Sequence, residues 1–173
     1  MLADGFEEVE SLTVVDYLRR SDIICDTTAI TNERIVEGAH NIAVKTDKIL
    51  DEINTSNGYD GLVLPGGMPG AANLRDDERV INLIREFNRQ GKLVGAICAA
   101  PIVLQKAGII DGKQVTSYPG FENELRGASY SEELVVQDEN IITARGPAVA
   151  VYFAVEIVEY LCGKEVAKKL KED

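Results

Sequence analysis

The 173-residue sequence predicts an α/β domain whose mostly parallel sheet is covered by helices on both faces, and three observations carry that prediction. Short apolar runs alternate along the chain with amphipathic helical runs. The runs Gly61–Leu64 and 92–97 are apolar on every residue or nearly so, the pattern of strands buried on both faces. Each of these two runs ends at small or glycine-rich residues, where a strand turns into the next element.

The elements follow in order. Residues 9–20 place Val9, Leu12, Val15, Leu18 and Arg19 at helical spacings. Ahead of that helix and its acidic opening only Met1-Leu2-Ala3 remain, so the first strand is expected to be a truncated stub. Residues 23–30 are apolar and β-branched and read as a strand. Ile35–Glu37 and residues 42–45 flank Gly38 and read as a hairpin. Gly61–Leu64 is a buried strand stopped by Pro65-Gly66-Gly67. Residues 78–90 form a helix through Val80, Ile81, Leu83, Ile84 and Phe87, ending at Gly91. Residues 92–97 are the next strand, and Pro101–Ala107 the next helix, ending at Gly108. Residues 114–118, 134–136 and Ile141–Ala144 are shorter strand candidates. Residues 148–161 form a long apolar helix ending at Gly163, and the last ten residues read as a solvated helix and tail. With no repeat, low-complexity stretch or linker, residues 1–173 read as a single domain.

Composition narrows the function classes. Hydrophobic residues make up 45% and charged residues 27%, ordinary globular usage. A net charge of -11 repels phosphate backbones and anionic lipid, so neither nucleic acid nor a membrane is an expected partner. No apolar run approaches the roughly 20 residues that span a bilayer. The start of the chain lacks the basic and apolar regions of a secretory signal. Three widely spaced cysteines, Cys25, Cys98 and Cys162, fit neither a disulfide framework nor a zinc ribbon, and a reducing cytoplasm is the expected location. The acceptor triplet Asn54-Thr55-Ser56 has no meaning without secretion. The single histidine, His40, leaves no metal site to complete and reads as polar surface.

Chemistry concentrates at Cys98. In residues 92–101, KLVGAICAAP, a buried strand runs into the cysteine, small residues follow, and Pro101 suits a first helical turn. This is the pattern of a nucleophile elbow, a strained strand-to-helix turn that presents one reactive side chain. A position ahead of a helix favours the thiolate. The segment by itself fits a small buried cysteine equally well. Cys25, in an apolar strand, and Cys162, late in an apolar helix, read as structural.

Two further segments accompany it. Pro65-Gly66-Gly67-Met68-Pro69-Gly70 follows a strand and could direct backbone N–H groups at an oxyanion, although a plain turn explains it as well and it lacks the Gly-Lys-Ser/Thr ending of a phosphate loop. In Gly5-Phe6-Glu7-Glu8-Val9-Glu10 the acidic residues suit a first helical turn. Glu10, beside apolar Val9, is the candidate to face inward, where desolvation would raise its pKa and let it hold or move a proton.

GFEEVE, LPGGMPGAANL, AICAAP and TARGP in this order resemble the ThiJ/PfpI superfamily, in particular its DJ-one-like branch of deglycases, over nearly the whole chain. The resemblance implies a flavodoxin-like three-layer sandwich of the class I glutamine amidotransferase type, a homodimer, and no cofactor or metal. It implies Cys98 as the reactive cysteine, Glu10 as its protonated partner, and backbone N–H groups of Gly66, Gly67 and Ala99 at the site. It also implies a pocket near Tyr118, Arg145 and Pro147. Ala99 stands where protease-like members have histidine, which disfavours a cysteine peptidase. Tyr118, in Ser117-Tyr118-Pro119, stands where the nearer branch has histidine.

Two functions follow from the resemblance. One is an enzyme acting on a small aldehyde such as methylglyoxal, or on glycated substrates, through Cys98 with Glu10 as proton shuttle. The other is a stress-protective redox sensor or chaperone in which Cys98 is oxidised to sulfinic acid.

Overall fold

The computed structural model describes residues 1–53 and 58–172; the triplet at 54–56 lies outside the described residues. In chain order the elements are α1 (Glu8–Arg20), β1 (Thr28–Ala29), β2 (Ile35–Glu37), β3 (Ala43–Lys45), β4 (Lys48–Ile49), β5 (Gly61–Leu64), α2 (Gly70–Asp76), α3 (Glu78–Arg89), β6 (Leu93–Ile97), α4 (Pro101–Ala107), β7 (Gln114–Val115), β8 (Ser129–Tyr130), β9 (Val135–Asp138), β10 (Ile141–Ala144), α5 (Ala150–Cys162) and α6 (Lys164–Glu172).

The central sheet has the order β5-β6-β10-β9, with β5, β6 and β10 parallel and β9 antiparallel at the edge. Residues 1–3 extend it. The Met1 ammonium donates to Val63 O at 2.7 Å, while Leu2 N donates to Thr28 O at 2.7 Å and Ile30 N to Leu2 O at 3.0 Å. The stub thereby joins β5 to the parallel pair β1-β4. The hairpin β2-β3 and the parallel pair β7-β8 stand apart from this sheet.

Side-chain alternation along the strands separates two cores. Leu62, Leu64, Val94 and Ala96 face Leu74, Ile81, Ile84, Val103 and Leu104 of α2, α3 and α4. Leu93, Ile97, Ile142 and Ala144 face Val14 and Leu18 of α1 and Phe153, Ile157 and Val158 of α5. The three layers place the carboxyl ends of β5 and β6 at one end of the sheet, where open α/β sheets form their sites.

Several local expectations need correction. The strand expected over 114–118 is only Gln114–Val115, and the terminal helix α6 is not wholly solvated, since Ala167 and Leu170 are buried against the α1 and α5 core. Of residues 23–30 only Thr28–Ala29 is strand. The stub pairs with Thr28 and Ile30 and β4 reaches Thr27, which leaves 23–26 outside the ladder, with Ile24 86% exposed. The glycine turn after β5 opens a helix, α2, that the sequence reading lacks; its glycine and proline content masks an apolar pair, Ala71 and Leu74, that is fully buried.

Phe153 is fully buried and its ring abuts the site where a side chain on Gly95 would stand. Phe153→Ala is therefore expected to lower unfolding free energy by about 3–5 kcal/mol. Val151→Ala, on the exposed side of the same helix, should change it by less than about 0.5 kcal/mol. Urea titration followed by circular dichroism measures both.

Candidate active site

Cys98 is the residue at which β6 turns toward α4. It has φ 64°, a left-handed conformation that costs a side-chain-bearing residue roughly 1–3 kcal/mol. Two long-range bonds hold it there: Cys98 N donates to Ala144 O at 2.8 Å, and Tyr118 N donates to Cys98 O at 2.9 Å. A strained backbone fixed at both its N–H and its carbonyl leaves the half-buried thiol pointing into one environment.

Glu10 supplies the other half of that environment. Glu7 N-caps α1 by accepting Glu10 N–H at 2.7 Å, and Glu7 N donates to Gly66 O at 2.9 Å. This seats the first turn of α1 against the loop after β5. Glu10 is fully buried, and its Oε2 accepts Gly66 N–H at 2.7 Å. Its Oε1 is buried without an N–H or O–H donor among the described residues, and the carboxyl is in hydrogen-bonding reach of the Cys98 thiol. Gly66 is confined by both groups: a Cβ there would lie 2.6 Å from Cys98 Cβ, 2.8 Å from Glu10 Oε2 and 3.0 Å from Ala99 N. Only glycine allows three segments to meet at this distance.

Burial pushes the Glu10 carboxyl up to about 7, although the Cys98 thiol and Gly66 N–H both pull it down. Burial also pushes the Cys98 thiol up, to about 12, and the Glu10 charge adds to the rise. The N–H groups of Ala99 and Gly67 act in the opposite sense. Burial and the Glu10 charge thus act against the thiolate that the elbow position favours. The helix that follows is only seven residues long and begins three residues beyond Cys98, so its dipole is a weak counterweight. Two groups that share a site and repel as anions titrate as a pair and carry at most one negative charge between them near neutrality.

The structure thus brings together Cys98, Glu10, Gly66, Gly67 and Ala99. It divides the backbone donors differently from the sequence expectation, because Gly66 N–H is engaged by Glu10 while those of Gly67 and Ala99 face the sulfur. Tyr118 is joined to Cys98 through its backbone; its ring is 47% exposed and lies over Gly146. Arg145 directs its guanidinium to Glu132 O at 2.8 Å, and Pro147 is exposed. A cavity of about 690 Å³ opens beside residues 1–3, among Cys25, Tyr59, Leu83 and Ile157; Glu10 borders it and Cys98 does not. Sequence reasoning missed the capping role of Glu7, whose signal was available: a carboxylate three residues ahead of Glu10 at the opening of a helix. It also missed the buried Thr116 N–H to Thr143 Oγ1 bond of 2.9 Å, which ties the Tyr118 segment to β10 and leaves no local pattern.

An acid whose pKa is raised on folding stabilises the fold below its unfolded value and loses that contribution as pH rises through the folded value. For Glu10 the window runs from 4.5 to about 7. Across it, wild-type stability should fall relative to Glu10→Gln by up to roughly 3 kcal/mol. Urea unfolding of both proteins at a series of pH values tests this, and parallel curves would show that Glu10 is not buried in this way.

Comparison with known proteins agrees with the geometry. The DJ-1/PfpI family model matches residues 1–160. The chain is 35% identical over 174 residues to the Parkinson disease protein 7 homolog of Danio rerio, covering 99% of this chain and 92% of that one. It is 38% identical over 172 residues to protein DJ-1alpha of Drosophila melanogaster, covering 98% and 79%. It spans only 39% of the protein DJ-1 homolog B of Arabidopsis thaliana, at 35% identity over 99% of this chain. Drosophila melanogaster DJ-1beta superposes with a TM-score of 0.95 at 37% identity, covering 99% of this chain and 92% of that one. An oxidised Toxoplasma gondii DJ-1 superposes with a TM-score of 0.94 at 34% identity, covering 99% and 93%. The fold is accordingly the flavodoxin-like α/β sandwich, and the chain belongs to the DJ-1/PfpI family.

Proposed function

We propose that the protein converts small reactive carbonyls, methylglyoxal or its early adducts, through Cys98 and Glu10, without a cofactor. The observation that carries this reading is the buried pairing of a strained cysteine with a carboxyl whose pKa lies at about 7. A group near neutrality can both take and return a proton. As sulfur attacks the aldehyde carbon, Glu10 removes the thiol proton and returns it to the carbonyl oxygen, giving a hemithioacetal. The Gly67 and Ala99 N–H groups are available to the developing oxyanion. Glu10 then takes the proton from the former aldehyde carbon while the ketone oxygen gains a proton, giving an enediol; return of the carbon proton to the adjacent carbon, with loss of the remaining hydroxyl proton from the sulfur-bearing carbon, gives a lactoyl thioester. Water hydrolyses the thioester, releasing lactate and the thiol. The substrate is oxidised at one carbon and reduced at the next, so no external oxidant enters.

Within this reading Tyr118, bonded to Cys98 through its backbone, lines the substrate's approach together with Arg145 and Pro147. The chain acts as one domain in the cytoplasm, as a homodimer, and does not engage nucleic acid or membrane. Among the described residues no helix is long and apolar enough to cross a membrane. Val9 and Leu12 on α1 and Ile35 and Ile42 on the hairpin are exposed apolar side chains, a surface that a second copy would cover.

Lactate production from methylglyoxal tests the enzymatic reading. Glu10→Gln should lower kcat by about 100-fold or more, and a wild-type rate no higher than that of Cys98→Ala would refute the reading. One observation favours redox sensing at the same residues: among the described residues Glu10 Oε1 has no N–H or O–H donor, and the carboxyl stands beside the Cys98 thiol, where it could hydrogen-bond an oxygen of a sulfinic acid. Mild peroxide should then add two oxygens to Cys98 alone, read by intact mass and peptide mapping. Equal oxidation of Cys25, Cys98 and Cys162 would remove that second reading.

A further inference from the structure

His40 has no part in the chemistry above, yet its contacts are specific. Its Nδ1 lies 2.7 Å from Glu8 Oε2, and its backbone N–H donates to Glu8 Oε1 at 2.7 Å. Glu8 is 4% exposed, so one hairpin residue partners both oxygens of a buried carboxylate. Gly38 makes room for it, since a Cβ there would stand 2.3 Å from Glu8 Oε1. Ala39 N donates to Phe6 O at 2.8 Å, fastening the hairpin tip to the opening of α1.

The imidazole also lies 4.0 Å from Glu7 Oε1. Glu7 Oε2 accepts Glu10 N–H, and the Glu7 charge acts on the Glu10 carboxyl. A row of ionisable side chains, His40, Glu7, Glu10 and Cys98, therefore leads from solvent to the thiol. The ionisable groups acting on the ring are Glu8 and Glu7, both at the start of α1.

We propose that His40 is a positioning residue for Cys98: as imidazolium it offsets the Glu7 and Glu8 charges, which keeps the Glu10–Cys98 pair more acidic, and its deprotonation withdraws that support. The hydrogen bond to Glu8 holds the imidazole above its usual pKa, so it keeps its charge to higher pH than a free histidine. Burial pushes Glu8 up, but the bonds from His40 bring its carboxyl below the ordinary range, so it is an anion where the imidazole titrates. The sign follows from electrostatics: a cation near two acids favours their ionised forms, and neutralising it raises both pKa values.

The proposal rests on Cys98 being the reactive residue, and its test reads the thiol directly rather than turnover. The measurement is the iodoacetamide alkylation rate of Cys98 against pH, resolved by peptide mass, in wild type, His40→Gln and His40→Lys. His40→Gln should react about threefold to tenfold more slowly on the acid side of the imidazole transition and match wild type on the alkaline side. His40→Lys keeps a cation throughout and should retain the fast rate without the transition. A His40→Gln profile that overlays wild type, or is slowed by one factor at every pH, would overturn the proposal; the second result marks a purely structural role. Failure of the underlying reading looks different: Glu10→Gln would leave the Cys98 alkylation profile unchanged, because a thiol that shares no proton with Glu10 gives His40 no pair to act on.

Discussion

Three segments that are far apart in the chain meet at a point that has no side chain. The turn after β5 passes between Cys98 and Glu10, and the distances there leave no room for a Cβ on Gly66. Much of the site follows from that contact. It brings the Gly66 N–H to Glu10 Oε2, and the Gly66 carbonyl receives Glu7 N–H, so one residue accepts the opening of α1 and donates to its first inward side chain. Because the β5 turn is thereby bonded to α1, and Cys98 is bonded to β10 and to the Tyr118 segment, the backbones that carry the thiol and the carboxyl are held in place by the sheet. Catalytic constellations depend on this rigidity, since small displacements of a reacting group are costly.

Burying a carboxyl at this point opposes folding unless it stays protonated or finds compensating donors. Among the described residues Glu10 has one N–H donor and the weak donor of the Cys98 thiol, so it is under-satisfied. Its raised pKa is the consequence, and the strained φ of Cys98 adds a second local cost. The surrounding cores offset both: Ile97, immediately before Cys98, is fully buried against the α1 and α5 face, and Ala96 against the opposite one. Strain and unsatisfied polarity at one place, supported by complete packing around it, is the distribution expected where structure has been traded for reactivity.

What the sequence revealed depended on whether the physical cause was local. Gly61–Leu64 and Ile141–Ala144 were legible because an unbroken apolar run has one simple reading in an α/β chain. Pro101–Ala107 was legible because proline and glycine bracket it. Cys98 and Glu10 stood out through small neighbours and an apolar flank. The strand at 23–30 was overextended because its propensity is real but its ladder partner has only three residues. The Glu8–His40 pair joins residues 32 positions apart, and no periodicity marks it. The influences on the thiol's charge are hidden for a related reason: an elbow motif states where a cysteine sits, while desolvation and a carboxylate arriving from another element act on its ionisation and leave no mark in the local sequence.

Tyr118 sharpens that last point. Where the nearer branch of the family has histidine, this chain has a tyrosine whose ring lies over Gly146 and is half exposed. An imidazole beside the sulfur would be a second proton acceptor and, when charged, a counter-ion for the thiolate. A neutral phenol offers a hydrogen bond but no positive charge. Proton handling then falls to Glu10, and the cation nearest the pair in the row of ionisable groups is His40, reached through Glu7. Moving the titratable nitrogen from the sulfur's side to the outer end of a carboxylate chain exchanges a direct base for an electrostatic one. A thiol buried beside a carboxyl must give up its proton as it attacks, and in the reaction proposed above the group that takes it is Glu10. Amide hydrolysis would ask in addition for an acid at the leaving nitrogen, the place an adjacent histidine fills.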